Sequence, residues 1–315
     1  YNISPSVTFP LTLGTASTVD APTTTTWTGT TSTDWTVASN WTAGVPSAIK
    51  ACEIPNVGND PIISTGTASC LNVSITTGIL TLNVGATLET YGNFTNTGTF
   101  TQNGTLEIED SGAAISQNIE SVTTLANMHI NKTGNGTIDI QGTSLTIDSV
   151  VINNSGYTLN ISSGKTLILP NGVSISGGTW DIAGNGALEI GNTQTLLVNG
   201  GNLTISGTND VFPQSAATKG KISPQGGTGT WNFTTTSGTL DITGFHFDLL
   251  GVNGINIGGT TVVTNLRGGQ LTNLSATYAS VNGIQLNTSG SLPLSMANIA
   301  WNWGAFNSFN PANVN

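Results

Sequence analysis

Charge is scarce in this chain: of 315 residues, 6 are Lys or Arg and 16 are Asp or Glu, far below the usual quarter of a globular protein. With one arginine, Arg267, and a net charge of -10, no basic surface exists to displace counterions from phosphates, which argues against nucleic acid as a partner. No apolar run reaches about 18 residues, so insertion in a membrane as a helix is not expected. The sequence opens at Tyr1 with neither a charged leader nor an apolar one, as a processed mature protein or a fragment does. Two histidines, His129 and His246, and two cysteines, Cys52 and Cys70, are too few and too scattered for a Cys/His metal cluster. An even cysteine count in a charge-poor, Thr- and Asn-rich chain reads instead as an extracellular disulfide.

What replaces the missing charge is 53 Thr, 40 Gly and 35 Asn, residues that suit strands and turns and disfavour helix interiors. A mainly helical protein is excluded. So is disorder, because 37% of the residues are apolar and alternate with polar ones. One phrase recurs: glycine, a small residue, then apolar, acidic, apolar. It stands as GTLEI from Gly104, GTIDI from Gly136, GTWDI from Gly178, GALEI from Gly186 and GTLDI from Gly238. Relatives without the acid begin at Gly78, Gly156, Gly164 and Gly201. Alternation with period two makes each a short strand with one apolar face.

Spacing arranges these strands. Gly78, Gly85, Gly92, Gly98 and Gly104 lie 7, 7, 6 and 6 residues apart, while Gly156 to Gly178 and Gly164 to Gly186 are both 22. A hairpin meander would favour Asn-Gly or Asp-Gly turns between longer strands. A coil turning three corners in about 20–23 residues explains both periods, so the expected fold is all-β: a right-handed parallel β-helix, or β-solenoid, of three short strands per coil. Inward candidates are Leu80, Leu82, Leu106, Ile108, Ile138, Ile140, Leu145, Ile147, Leu167, Leu169, Trp180, Ile182, Leu188, Ile190, Leu203, Ile205, Leu240 and Ile242. Glu107, Asp139, Asp181, Glu189 and Asp241 then face outward. The solenoid is placed at 61–300 and divides into roughly eleven coils, a rod on the order of 50 Å long. After Asp241 the period lengthens, VNGINI from Val252 and VNGIQL from Val281 being 29 apart.

The remaining chain divides into an apolar segment 1–15 with Ile3, Val7, Phe9, Leu11 and Leu13, a Thr/Pro linker 16–26, a Trp-rich module 27–60 and an aromatic tail 301–315. In the module Trp27, Trp35 and Trp41 either cap the solenoid core or form a stacking platform for sugar rings. In the tail Trp301, Trp303, Phe306 and Phe309 either cap the other end or dock on a neighbouring copy. Residues 3–13 are a second docking candidate, able to insert as an extra strand. Cys52 and Cys70 are 18 apart, close to one coil, so their bond would clamp the module onto the first coil.

The WTG, DW, NW and GVP string between Trp27 and Pro46, the segment NDPIISTGTASCLNVSI and the coils after it resemble large secreted bacterial surface proteins with right-handed parallel β-helix repeats, of the type IX-secreted and adhesin-like kind. The resemblance covers about residues 27–240. It implies an extracellular, cell-surface protein, in a group whose coils serve adhesins, filaments and enzymes alike. The scarcity of titrating groups favours a non-enzymatic structural role, and apolar segments at both ends favour a filament or adhesin subunit whose partner is another copy of itself, head to tail, or surface glycans.

Chemistry is thinly represented. Parallel β-helix enzymes acting on acidic polysaccharides need clustered carboxylates. The candidates here are Glu107, Glu109 and Asp110, with Glu89 and Glu120 on neighbouring coils. They read as a solvated face or a weak Ca2+ site, and no other cofactor is expected. Alternation puts His246 and Asp248 on one face, opposite Phe245 and Phe247, so a His/Asp pair is conceivable, but no GxSxG motif accompanies it. His129 is expected to point outward. Thr-x-Thr pairs do not recur at the coil period, which speaks against a flat ice-binding row. A carbohydrate-binding or polysaccharide-cleaving β-helix is the alternative reading.

Overall fold

The computed structural model describes residues 23–110, 115–191, 193–206, 219–272, 284–292 and 300–302. It is an all-β, parallel β-solenoid. Every ladder between its described strands is parallel, and the antiparallel contacts are two isolated bridges, Trp27 with Trp41 and Ser47 with Lys50. One side is a 14-stranded sheet whose main path runs through twelve strands, from Thr24–Thr26 to Ile284–Thr288. The other sides are built from sheets of 5, 7 and 3 strands. Among the described residues no helix is long and apolar enough to cross a membrane.

Stacking in register follows from the repeated phrase. Ile138 lies over Leu159, which lies over Trp180, and then come Leu203 and Leu240. All eighteen expected inward residues are buried. The five acids of the phrase are half-buried on the outer face. The phrase's glycine is explained by closeness of coils: a Cβ on Gly238 would lie 2.0 Å from the carbonyl oxygen of Gly201.

The coil period is not constant along the stack of twelve strands. Early steps take 21 residues, as from Cys52 to Val73 to Phe94, but Leu203 pairs with Leu240, 37 residues on. The lengthening anticipated after Asp241 is therefore preceded by a long step one coil earlier and is not continuous: Leu240 to Val263 takes 23 residues, and Ile255 to Ile284 takes 29. From Thr195 the coil also loses a corner. Thr195–Ser206 and Trp231–Thr243 are single strands of 12 and 13 residues that serve two sides at once, the first pairing with both Val173–Ile175 and Thr179–Ala183.

The linker expected over 16–26 ends in structure: Thr24–Thr26 is a strand paired with Ala51–Ile54. Thr25 is fully buried, its hydroxyl donating to Gly44 O (2.9 Å) and accepting from Ala43 N (3.1 Å), so a β-branched polar residue serves as core. Residues 16–22 of the linker, and Ile3, Val7, Phe9, Leu11, Leu13, Trp303, Phe306 and Phe309, lie outside the described residues. Of the expected tail cap the backbone of Trp301 is described, in the strand Ala300–Asn302 opposite Leu271.

Candidate functional site

At the first end, the Trp-rich module folds into a plug. Trp27, Trp35 and Trp41 are 1%, 2% and 4% exposed, and Trp41 meets both others edge-on at 4.9 and 4.7 Å between ring centres. Two of the polar edges are satisfied: Trp27 Nε1 donates to Asn59 O (2.6 Å) and Trp41 Nε1 to Trp35 O (2.9 Å). Rings so covered present no face on which a sugar can stack. The string's other residues hold the plug. Gly29, at φ +59°, leaves room for Asn59, whose oxygen would stand 2.3 Å from a Cβ there. Buried Asn40 accepts from Thr31 N and Ser32 N and donates to Ser32 Oγ and Asp34 O. Cys52 and Cys70 form a disulfide, with Cα atoms 6.0 Å apart. It ties the strand Ala51–Ile54, which carries the plug, to the end of the strand Gly66–Cys70 in the next coil.

The second feature is acidic. On the outer face of the five-stranded sheet Ser69, Glu89, Glu107 and His129 stand in one register column. Carboxylate oxygens of Glu89, Glu107 and Glu109 lie within 4.8 Å of one another. Glu89 accepts from Ser69 Oγ (2.7 Å) and Tyr91 Oη (3.0 Å), and Glu109 accepts from Asn131 Nδ2. Burial raises the Glu109 carboxyl above its ordinary range; the Asn131 bond opposes this, while Glu107, Glu89 and Asp110 add to it. Burial and the neighbouring carboxylates push the Tyr91 phenol up to about 12. Asp110, grouped with these by sequence, is held by Gly134 N (2.7 Å) and Thr133 Oγ1 (3.2 Å) in a turn, and Glu120 lies on a different sheet. Three carboxylate oxygens suit a hard cation, but Ca2+ takes six to eight oxygens, so most of its shell would be water.

The third feature is a chain of hydrogen bonds. His246 Nε2 meets Thr272 Oγ1 at 2.7 Å, and Thr272 Oγ1 donates to Asp248 Oδ1 at 2.8 Å. The sequence places His246 and Asp248 on one face; the structure inserts Thr272 of the next coil between them. Because the Thr272 proton goes to Asp248, its oxygen accepts from His246 Nε2–H, and His246 is not set to act as base toward that hydroxyl. His246 Nδ1 is buried without a hydrogen-bond partner. Burial lowers the His246 pKa, opposed by Asp248 and reinforced by Lys221 and Lys219.

A groove of about 370 Å3 was not foreseen. It lies near the gap in the third side, where Thr99–Gln102 ends one sheet and Ser144–Thr146 begins another, with a single bridge from Leu125 to Ile147 nearby. Buried Gln102 helps plug the gap, donating to Gly104 O and Asn127 O and accepting from Ala126 N. Glu120, Ser121, Thr123, Thr143, Ser144 and Thr146 are among the groove's lining. A missing strand leaves no sequence signature, since Ser and Thr occur throughout the chain.

Fold and sites together define a class: a parallel β-solenoid sealed at one end by a disulfide-tied tryptophan plug, with an acidic column on its flank. The family model described as Domain of unknown function (DUF8693) matches residues 26–140. That span contains the plug, the disulfide and the acidic column, and it is less than half of the chain. No curated protein and no solved structure matches.

Proposed function

We propose that the chain is an extracellular structural protein, a rod-shaped subunit of a filament or adhesive surface layer that grows by end-to-end contacts between solenoids. The observation that carries this reading is the asymmetry of the ends. One end is closed by buried tryptophans, whereas the last strand of the main sheet, Ile284–Thr288, is hydrogen-bonded on one side only among the described residues. An open parallel edge is a template for another chain. The disulfide supports an oxidising compartment, and the resemblance to secreted adhesin-like proteins points the same way. Electron microscopy of the full chain tests the reading: filaments with an axial repeat near one rod length, on the order of 50 Å, are expected. Isolated rods at every concentration overturn it.

The hydroxyl-lined groove favours a second reading, carbohydrate binding, because Glu120 and its neighbouring hydroxyls are acceptors and donors of the kind sugars engage. A glycan array then gives a signal that Glu120→Gln weakens. A blank array removes this reading and leaves the first untouched.

A further inference from the structure

Each coil hands its hydrogen bonds to the next in a fixed sense. Inward residues donate forward, Cys52 N to Asn72 O and Val73 N to Asn93 O (both 2.8 Å), Leu106 N to Asn127 O (3.0 Å) and Met128 N to Ser149 O (2.9 Å). Outward residues donate back, as Thr76 N does to Ile54 O (3.2 Å) and Gln141 N to Ile119 O (2.9 Å). On the last strand of the main sheet Ile284 and Leu286 stack on Ile255 and Ile257, which are fully buried, and are themselves only partly covered. Their amides and carbonyls therefore face the side on which no described strand pairs with them.

The chain carries a segment suited to that edge. Val7, Phe9, Leu11 and Leu13 alternate with Thr8, Pro10 and Thr12, a period-two pattern that in an extended conformation has one wholly apolar face. Pro10 fixes its direction. A parallel strand with its apolar face inward would have to donate back through Thr8, Pro10 and Thr12, and proline has no N–H. Reversing the strand while keeping that face inward turns Val7, Phe9, Leu11 and Leu13 toward the edge and leaves Pro10 facing away. Reach fixes the partner. The eleven residues from Leu13 to Thr24 span at most about 40 Å. Thr24 and Ile284 lie in the first and last of twelve strands, about 53 Å apart at roughly 4.8 Å per step. The segment cannot cover its own chain's open edge.

We infer that residues 7–13 of one copy add as an antiparallel strand to the edge Ile284–Thr288 of the next copy, with Phe9 and its apolar neighbours covering Ile284 and Leu286. This rests on the end-to-end reading above and names its joint. The test uses full-length variants, with circular dichroism confirming that each keeps its β signature. Phe9→Asp disables the donor and Leu286→Asp the acceptor, so neither polymerises alone, while a mixture of the two forms a 1:1 dimer by light scattering and stops there. Thr8→Asp, on the opposite face, polymerises normally, as does Thr12→Pro, whose lost N–H points away from the edge. Polymers unaffected by Phe9→Asp and Leu286→Asp, or a mixture that yields no dimer, overturn the joint while leaving end-to-end assembly standing. Failure of Thr12→Pro to grow overturns the antiparallel sense. A wild-type chain that never polymerises overturns the assembly reading and the joint together.

Discussion

Among the register pairs of described residues, one sets two carboxylates on adjacent coils: Glu89 against Glu107. Elsewhere acids are separated by amides or hydroxyls, as in the row Asp139, Asn160, Asp181, Thr204, Asp241, Asn265. There Asn160 donates to Asp139 (2.7 Å) and Asn265 to Asp241 (2.8 Å), converting repulsion into hydrogen bonds. Like charges directly opposite across strands destabilise by a few tenths to about 1 kcal/mol, so Glu107→Gln should raise the melting temperature at neutral pH, and less so in high salt. No gain at low salt would show that a bound cation or proton already neutralises the column. Two groups give opposite pH slopes. Glu109 is raised by burial, so the native state holds its proton more tightly than the unfolded chain does and acidification toward the carboxylate range favours folding there. His246 is lowered by burial, so the unfolded chain binds the proton more tightly and stability is lost as pH falls below about 6.5. The groups facing His246 are Asp248, Lys221, Lys219, Gln270 and Thr272. Thermal melts at about pH 7.5 and 5.5 should therefore show a smaller drop for His246→Gln than for wild type. Equal drops would mean that the histidine titrates normally.

Individual strands were the most legible part of the sequence, because period-two alternation and a recurring glycine are local signals. The eighteen residues assigned inward from GTLDI-like phrases are all buried. Less legible were buried polar residues, since a residue's type does not announce that it points inward. Gln102 and Lys132 are examples, the latter having Nζ on Ile115 O (3.2 Å) and a pKa lowered by burial. The histidine chain was half legible: alternation joined His246 to Asp248, but Thr272, 26 residues from His246, comes from a register that sequence does not state. Two predictions belong at this level. Gly238→Ala combines a φ of +96° with a Cβ 2.0 Å from Gly201 O and should destabilise by on the order of 2 kcal/mol, read as a lower denaturant midpoint. The double replacement Cys52→Ala and Cys70→Ala releases an 18-residue constraint and should lower stability by about 3 kcal/mol. If the double replacement left the midpoint unchanged, stacking alone would be holding the plug on the first coil.

Across the whole molecule, stability is a sum of neighbouring contacts, because each coil touches the one before and the one after. The step length was the illegible part, because sequence period does not announce a stretch where one step takes 37 residues and two sides merge into single strands. The half with the merged strands also ends in the strand that is paired on one side only among the described residues, while the other half carries the plug and the disulfide. A rod with unequal ends opens from the weaker one, since fraying there breaks contacts on one side only. Amide hydrogen exchange should therefore be graded along the rod in the unassembled chain. Ile284–Thr288 exchanges first, Leu250–Gly259 next, and Val73–Ile75 and Phe94–Asn96 last. Trp41→Ala removes the ring that touches both other tryptophans and should speed exchange in the first coils while leaving Ile284–Thr288 unchanged. Faster exchange at Val73–Ile75 than at Leu250–Gly259 in the wild type would contradict a sealed first end. Assembly reverses the gradient where it matters: once a neighbouring chain covers the edge, Ile284–Thr288 should move from the fastest class to the protection of the interior coils, and Phe9→Asp should abolish that change.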